Sequence, residues 1–397
     1  MKKLTVNLLN SAFLIFLVLF LTSCEDTIVP ASQPLTFLLG CNGTDELQKG
    51  LYEYSVGGTP VFKTELYPYA FQSHLVDQNN GIVVFRSHIT PENTSGIAYA
   101  TTSDLANIQF APIPGPPSDD YYYSIDNECP RVFEDGRIAY RVTLQTVNPY
   151  DDWKSGMIAI FNPSSGDIEL SGDASPFVLS QPEQGSDTEG GSMGGSFVLS
   201  PDGNYAYCTV YGAGTDGGVY HEDFQFIVRY TIGQPGSYER LAQFGGSINT
   251  IAGDGIYLII NYNGLQKLNL SSSSEDLVQV DVYGHNFPNG AVSKSSDVIM
   301  KHWSEGIGLY DIGQQPVGWL RIIDSYKIND PSFNWVTDAQ FSKNEDKIYF
   351  TGTTYYTNYG SGIALYSTPV IESNADPDSL SSFGLEYDTN MFIRIDK

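Results

Sequence analysis

Short runs of alternating apolar and polar residues recur along the chain after residue 35. One run begins at a glycine, continues with an apolar residue and alternates up to an aromatic or aliphatic residue. Its copies span residues 49–54, 95–99, 155–160, 263–268, 305–310 and 361–366, and a copy without the glycine spans 226–230. An alternation with a period of two predicts short β-strands, each with one buried face.

A second run precedes most copies of the first. It is a turn with Asp-Gly or an equivalent, followed by β-branched, small and aromatic residues, and it occurs at 80–85, 135–140, 202–207, 254–259, 296–300 and 345–350. Such dipeptides between apolar runs predict hairpin turns. Residues 77–81 are interpreted in the same way, as a hairpin turn rather than a calcium loop. Each unit is therefore predicted to contain a strand, a tight turn, a second strand, a loop, a third strand and a link of variable length.

The spacing of these units indicates the architecture. A unit that recurs every ~52 residues is typical of a β-propeller, and residues 35–397 have room for about seven such units. We predict an all-β propeller of about seven four-stranded blades, with six or eight left open. Helical signals are scarce, which argues against a helical solenoid. The C-terminal run 390–395, or the segment 35–39, is expected to complete a blade shared by both chain ends and so remove an exposed strand edge.

One turn carries a specific resemblance. The segment 197–207 contains Ser200-Pro201-Asp202-Gly203 and resembles the hallmark of TolB-type, WD-repeat-like bacterial propellers; 339–350 and 130–140 are degenerate copies. The repeat covers residues 35–397, but only residues 200–203 match in full. The resemblance implies membership of a superfamily that includes receptors, scaffolds and enzymes, so it implies no particular function.

The N-terminal segment is typical of an export signal. A positive start at Met1–Lys3 is followed by an apolar run over 12–21, which is short for a membrane span. Leu21-Thr22-Ser23-Cys24 resembles the bacterial lipobox, which implies cleavage before Cys24 and lipidation of that residue. We therefore predict a lipoprotein signal peptide at 1–23, a tether at 24–34 and a single propeller domain at 35–397.

This segment also predicts the location. Acyl chains on Cys24 would hold the protein at the outer membrane by its lipid anchor alone. The acidic pair Glu25-Asp26 is similar to surface-export signals of some Bacteroidetes lipoproteins, but a pair is a weak version of that signal. A periplasmic and a surface-exposed location therefore both stay open.

The charge balance excludes some partners. The chain has 20 Lys and Arg against 46 Asp and Glu, a net charge of −26. This surplus argues against nucleic acid and against docking on anionic lipid. With 27 Tyr and 21 Phe there is nonetheless ample material for a core. Because much of the acid falls in the links between strands, we expect a partner that is cationic or bridged by a divalent ion.

The cysteines of the exported chain have different expected fates. Cys208 lies in a strand-like run, so we expect a buried thiol. Cys41 and Cys129 lie beside predicted loops, and a disulfide between them is left open because an oxidising compartment would preserve it.

Candidate catalytic groups are few. Residues 190–194 match the Gly-x-Ser-x-Gly pattern of a hydrolase nucleophile elbow, but that elbow needs a strand before it and a helix after it. We interpret the match as a flexible Gly/Ser link. The five histidines, His74, His88, His221, His285 and His302, fall in different repeats without ligand-like spacing. We therefore predict no catalytic residue and no metal ligand.

Two acidic and aromatic stretches are the candidate ligand-facing loops. They lie in links, where a propeller forms its two faces, and their candidate residues are Asp119, Asp120, Tyr121, Tyr122, Asp151, Asp152 and Trp153. Carboxylates beside aromatic rings suit a sugar, a cationic peptide or Ca²⁺. No cofactor is predicted. Calcium is the one ion that stays open, although the spacing matches no EF-hand or RTX loop.

These observations favour a binding function. The leading hypothesis is a monomeric, lipid-anchored propeller of the cell envelope that acts as a non-catalytic binding or scaffold module for an envelope protein or a small ligand. The alternative is an envelope glycan hydrolase or lyase with carboxylates from different blades at the mouth of the central channel. A purely structural role in an envelope assembly is the third hypothesis.

Overall fold

All regular structure in the described residues is β-strand. The computed structural model describes residues 36–41, 50–65, 77–79, 81–87, 96–125, 130–148, 154–173, 192–216, 219–234, 236–242, 247–252, 255–261, 265–271, 277–281, 298–303, 306–312, 318–324, 333–342, 345–356, 360–370, 377–383 and 391–395. They belong to one compact unit, Thr36–Asp396. A search of the described residues finds no helix with the length and apolar character to cross a membrane.

The described strands form seven antiparallel sheets, which we label A to G in chain order. Sheet A contains β28 (Met391–Ile395), β1 (Thr36–Cys41), β2 (Gly50–Ser55) and β3 (Val61–Thr64). Sheet B contains β4 (Asp77–Asn79), β5 (Ile82–Ser87), β6 (Gly96–Thr101) and β7 (Asp104–Phe110). Sheet C contains β8 (Tyr121–Ile125), β9 (Arg131–Val132), β10 (Ile138–Thr146), β11 (Lys154–Phe161) and β12 (Ile168–Asp173).

The remaining four sheets continue this order. Sheet D contains β13 (Ser192–Leu199), β14 (Tyr205–Asp216), β15 (Val219–Thr231) and β16 (Tyr238–Ala242). Sheet E contains β17 (Ser247–Ala252), β18 (Tyr257–Asn261), β19 (Leu265–Asn269) and β20 (Leu277–Asp281). Sheet F contains β21 (Val298–Trp303), β22 (Gly306–Asp311) and β23 (Gly318–Asp324). Sheet G contains β24 (Phe333–Phe341), β25 (Lys347–Tyr356), β26 (Gly360–Pro369) and β27 (Asp378–Phe383).

The two sequence runs correspond to fixed positions in these sheets. In sheets B, C, D, E and G, the run that follows an Asp-Gly-type turn is the second strand along the sheet, and the glycine-led run, or in sheet D its copy without the glycine, is the third. In sheet A the glycine-led run is likewise the third strand, β2, but no Asp-Gly-type run precedes it. In sheet F the same two runs are β21 and β22. The hairpin predicted at 77–81 is also present, because Asn79 pairs with Ile82. The prediction of an all-β propeller is thereby confirmed.

Two sheets depart from the expected four strands. In sheet C, β8 pairs with the second half of β10 while the short β9 pairs with its first two residues, so the sheet has five strands. Sheet F has three strands among the described residues. The number of blades stays a prediction, since these sheets are counted over the described residues alone.

Both ends of the propeller domain share one sheet, as predicted. Strand β1 pairs with β2 on one side and with the C-terminal strand β28 on the other, with Leu38 opposite Ile393. The Phe37 ring of this sheet also meets the Tyr349 ring of sheet G edge-on, with centroids 5.5 Å apart. The last sheet along the chain is therefore joined to the first.

The core lies between neighbouring sheets. Separate clusters of buried side chains join sheets A and B, B and C, C and D, D and E, E and F, and F and G. The cluster between C and D includes Ile158, Phe197 and Cys208. The central strands supply most of the buried apolar side chains of these clusters, and their burial is the main source of stability.

The Asp-Gly-type turns of sheets C, D and E also contact the preceding sheet. In sheet D, the Gly203 amide donates to the Ser200 carbonyl, and Gly203 has a φ of 69°, which favours glycine. A β-carbon on Gly203 would also lie 3.2 Å from the Phe133 ring of sheet C. The corresponding glycines of sheets C and E are Gly136 and Gly255. A β-carbon on Gly136 would lie 3.2 Å from the Ile82 side chain of sheet B, and one on Gly255 would lie 3.1 Å from the Pro201 ring of sheet D.

Candidate functional site

The two faces of sheet C have different surroundings. Strand β10 alternates, so Val142 and Leu144 are buried, together with Tyr123 of β8, in the cluster shared with sheet B. The intervening residues Arg141, Thr143 and Gln145 therefore lie on the opposite face.

That opposite face is directed towards sheet D. The Arg141 Nη1 atom donates a hydrogen bond of 2.6 Å to the Met193 carbonyl of β13. Since Tyr122 is in register with Gln145 and Ser124 with Thr143, the side chains of Tyr122 and Ser124 lie on the same face as Arg141.

A chain of hydrogen bonds holds Tyr122 in place. The Tyr122 hydroxyl donates to the Gln145 Oε1 atom at 3.1 Å, and the Gln145 Nε2 atom donates to the Ser124 Oγ atom at 2.6 Å. Tyr122 is still 45% exposed, and Val147, just past the end of β10, is 56% exposed. An aromatic ring and an aliphatic side chain are thus presented to solvent on fixed backbone.

Two exposed carboxylates lie at the end of this surface where β8 begins and β10 ends. Asp119 and Asp120 occupy the turn before β8, in which the Tyr121 amide donates to the Ser118 carbonyl at 3.2 Å. The Val147 amide donates to the Asp120 carbonyl at 2.8 Å, which fixes this turn against β10. We call the surface formed by Asp119, Asp120, Tyr122, Ser124, Gln145 and Val147 the Tyr122 face.

The structure changes the interpretation of the first acidic stretch. Tyr121 and Tyr122 were expected in a ligand-facing loop, but they are the first residues of strand β8. Three consecutive tyrosines have a high β propensity, and the second half of β10 offers them a free edge. Only Tyr122 belongs to the Tyr122 face, because Tyr121 is in register with Thr146 on the face towards sheet B.

The second stretch, Asp151, Asp152 and Trp153, lies outside the described residues. The strands on either side of it are described: β10 ends and β11 begins at the end of sheet C that carries Asp119 and Asp120. The predicted lipidation site, Cys24, also lies outside the described residues.

Gln145, Ser124 and Val147 were missed at the sequence level. The run 135–140 predicted the first part of this strand, but β10 continues to Thr146 and so includes Thr143 and Gln145. What the sequence lacked was the pairing partner, since β8 was not recognised as a strand.

The Gly-x-Ser-x-Gly match is not a nucleophile elbow. Ser192 is the first residue of strand β13, paired with Tyr211, and the strand continues to Leu199 where the elbow would need a helix. The prediction of a flexible link was therefore wrong from Ser192 onward. Met193 is 4% exposed and packs in the cluster between sheets C and D.

The other candidate groups do not converge in the described part of the chain. His221 and His302 are in strands of different sheets, and the other three histidines lie outside the described residues. A search of the described residues finds no group of three or more His, Cys, Asp or Glu side chains that could hold a metal ion.

The cysteine predictions are tested in part. Cys208 is a free, fully buried thiol, as predicted, and burial raises its pKa well above the usual range. Cys41 is the last residue of strand β1. Its pairing with Cys129, which lies outside the described residues, stays a prediction.

Comparison with known proteins supports the fold and nothing finer. No family model matches the sequence, and no curated protein matches it. Prolyl oligopeptidase B from Galerina marginata is similar in structure over 90% of this chain and 52% of that chain, with 11% identity and a TM-score of 0.51. An apocarotenoid oxygenase mutant from Synechocystis matches over 88% and 80% of the two chains, with 9% identity and a TM-score of 0.48.

An acylaminoacyl peptidase from Pyrococcus horikoshii matches over 82% of this chain and 48% of that chain, with 8% identity and a TM-score of 0.44. The chain thus spans about half the length of the two peptidases. At these identities the likeness shows the β-propeller fold alone.

Proposed function

We propose that this protein is a lipid-anchored β-propeller of the cell envelope, of the TolB type, that binds another envelope protein without catalysing a reaction. Cys24 would carry the lipid, and the residues after it would tether the propeller to the outer membrane. The propeller would offer the Tyr122 face as its binding surface.

The observation that carries this proposal is the construction of the Tyr122 face. Binding surfaces between proteins are enriched in exposed aromatic residues held in a fixed position and surrounded by polar groups. Tyr122 fits this description, because its ring is 45% exposed while its hydroxyl is bonded to Gln145. Both Gln145 and Ser124 are on strands, which are more rigid supports than loops.

The enzyme alternative has no comparable support in the described residues. A glycan hydrolase needs two carboxyls separated by roughly 5 to 10 Å, one of them usually buried so that it stays protonated. Among the residues whose burial is described, none of the buried side chains is Asp or Glu. The structural similarity to a peptidase covers about half of that protein and does not favour a peptidase activity. An envelope glycan hydrolase or lyase stays the alternative hypothesis.

Lipidation can be tested by feeding cells an alkyne-labelled palmitate. We expect the full-length protein to take up the label and to sediment with the membranes. Cys24→Ser should lose both properties, while the matched variant Cys41→Ser should keep them. Label on Cys24→Ser would contradict the predicted anchor.

Binding can be tested by cross-linking the anchored protein in its native envelope and isolating it. The proposal expects a protein partner in a fixed ratio to the propeller, lost in Asp119→Asn/Asp120→Asn and kept in Asp104→Asn/Asp167→Asn. Asp104 and Asp167 are also exposed, and Asp167 lies in the β11–β12 turn at the opposite end of sheet C. Release of fragments from envelope glycans by the purified protein would favour the hydrolase instead.

A further inference from the structure

The Tyr122 face combines two exposed apolar side chains on neighbouring, paired strands. Tyr122 of β8 is in register with Gln145 of β10, and Val147 directly follows Thr146, the last residue of β10. The Val147 amide also bonds to the Asp120 carbonyl, so both apolar groups belong to one continuous hydrogen-bonded surface. Exposed apolar residues that are grouped in this way mark interaction sites more often than residues scattered singly.

The Tyr122 ring differs from other aromatic rings of this protein. Several rings are covered by a cation of the chain itself: Arg137 lies 4.5 Å from the Phe133 centroid, Arg229 4.6 Å from Tyr205, and Arg240 4.6 Å from Phe226. None of the described cation–ring contacts involves Tyr122. A cation of another molecule would be attracted to the face of such a ring.

The charges around this ring select the sign of a ligand. Asp119 and Asp120 are exposed, and neither forms an ion pair with another described residue. The Arg141 guanidinium on the same side of sheet C is bonded to the Met193 carbonyl. The whole chain, with a net charge of −26, would also attract a basic partner at long range.

The positions of these groups are set before any ligand arrives. The Tyr122 hydroxyl is bonded to Gln145, which is itself bonded to Ser124, so little side-chain freedom is lost on binding. The turn at Asp120 is likewise bonded to β10.

We propose that the Tyr122 face binds a basic segment of another polypeptide, with an Arg or Lys side chain over the Tyr122 ring and its neighbours paired with Asp119 and Asp120. This inference rests on the proposed function and names the chemistry of its partner. Val147 would contact the aliphatic part of the basic side chains.

The test uses the full chain in detergent and a fluorescein-labelled peptide of four Arg-Gly repeats, with four Glu-Gly repeats as the opposite-charge control. Binding is followed by fluorescence anisotropy in 50 mM and in 150 mM NaCl. We expect the basic peptide to bind, the acidic one not to bind, and affinity to fall as salt screens the carboxylates.

Matched variants separate this site from general attraction to an acidic protein. Tyr122→Leu removes the ring without changing the charge and should weaken binding about five-fold or more. Tyr238→Leu, at another exposed tyrosine, should change it less than about two-fold. Tyr238 is 37% exposed and belongs to the outer strand of sheet D.

The carboxylates are tested in the same way. Asp119→Asn/Asp120→Asn should weaken binding about ten-fold at low salt, and the equally charged control Asp104→Asn/Asp167→Asn by less than about two-fold. All of these positions are exposed, so each variant should melt within a few degrees of the parent, which is checked first.

Equal effects of site and control variants would overturn the inference, because binding would then be non-specific. Absence of peptide binding would also overturn it, as would a neutral oligosaccharide such as maltoheptaose binding in a manner that depends on Tyr122. If a protein partner were still recovered from the envelope, none of these three results would contradict a binding function for the propeller, but the Tyr122 face would then not be its binding surface.

Discussion

A β-carbon on Gly156 would lie 2.4 Å from the β-carbon of Met193 and 2.8 Å from its backbone nitrogen. Gly156 is the glycine of the repeated run in β11 of sheet C, and Met193 is in β13 of sheet D. The Met193 carbonyl accepts the hydrogen bond from Arg141. The backbones of sheets C and D are therefore in close contact at Gly156 and Met193. Met193 belongs to the Gly-x-Ser-x-Gly segment, so this segment forms part of the contact between the two sheets.

Replacement of Gly156 should weaken the packing of sheet C against sheet D. We expect Gly156→Ala to lower the free energy of unfolding by about 1–3 kcal/mol, because the atoms that the new methyl group meets include backbone and cannot simply rotate away. Chemical denaturation would measure this. Gly115→Ala is the matched control, since nothing lies within 4 Å of its β-carbon, and a similar loss in that variant would contradict the explanation.

Glu345 occupies a backbone conformation that suits glycine. Its φ is 57°, and it holds the place in the turn of sheet G that Gly203, with a φ of 69°, holds in sheet D. Both amides donate to the carbonyl of the serine that opens the turn, Ser342 and Ser200 respectively. Glu345→Gly should therefore stabilise the protein by about 1 kcal/mol, although glycine is usually destabilising.

The control for this variant is Glu134→Gly. Glu134 is in the corresponding turn of sheet C but does not have a positive φ. Thermal melting should show a higher midpoint for Glu345→Gly and an unchanged or lower one for Glu134→Gly. A lower midpoint for both would mean that Glu345 is not strained.

Acid should weaken the Ser-Pro-Asp-Gly turn. The Ser200 hydroxyl donates to the Asp202 carboxylate at 2.5 Å, and the Asn204 amide donates at 3.1 Å; together they hold the pKa of Asp202 below its ordinary 3.8. In the folded state Asp202 thus binds a proton less readily than in the unfolded state. Its contribution to stability is present above pH 3.8 and is lost as the pH falls through the lowered pKa.

We expect a carboxyl titration by NMR to give Asp202 a higher pKa in Ser200→Ala, and the variant to lose less stability than the parent on acidification. Ser342→Ala removes the matching hydroxyl in sheet G, where Ser342 donates to Asp346 at 2.7 Å. It should leave the titration of Asp202 unchanged. An unaltered Asp202 pKa in Ser200→Ala would show that the hydroxyl is not the cause.

Much of this fold follows from local patterns. The Asp-Gly-type turns and the glycine-led runs predicted the second and third strands of the blades, because hairpins form between residues close in sequence. The closing strand at 391–395 was predicted from the general need to cover a strand edge. These inferences require no knowledge of distant contacts.

The features that the sequence did not predict depend on distant contacts. Gly156 must be a glycine because Met193 comes close to it. Lys267 is 2% exposed because its Nζ atom donates to the Ile312 carbonyl of sheet F at 2.5 Å and lies over the Tyr257 ring. The candidate site was predicted in part for the same reason: Asp119, Asp120 and Tyr122 were identified, whereas Gln145 and Ser124 join them only through the pairing of β8 with β10.

Removal of the closing strand should open the propeller. Deletion of residues 388–397 takes away β28, the strand next to β1, and leaves the edge of β1 unpaired. We expect the melting temperature to fall by about 10 °C or more, since closure of the ring is lost. Deletion of 396–397 alone, beyond the strand, should leave it unchanged, and an unchanged melt in the longer deletion would contradict closure by β28.

The most direct measurement is photo-cross-linking from position 122 of the full-length protein in the cells that produce it. A photoreactive phenylalanine derivative would replace Tyr122, or Tyr238 as the control. We predict one main protein adduct from position 122, lost in Asp119→Asn/Asp120→Asn, and none of that mass from position 238. No adduct from position 122, or the same adducts from both positions, would contradict a binding function for the Tyr122 face.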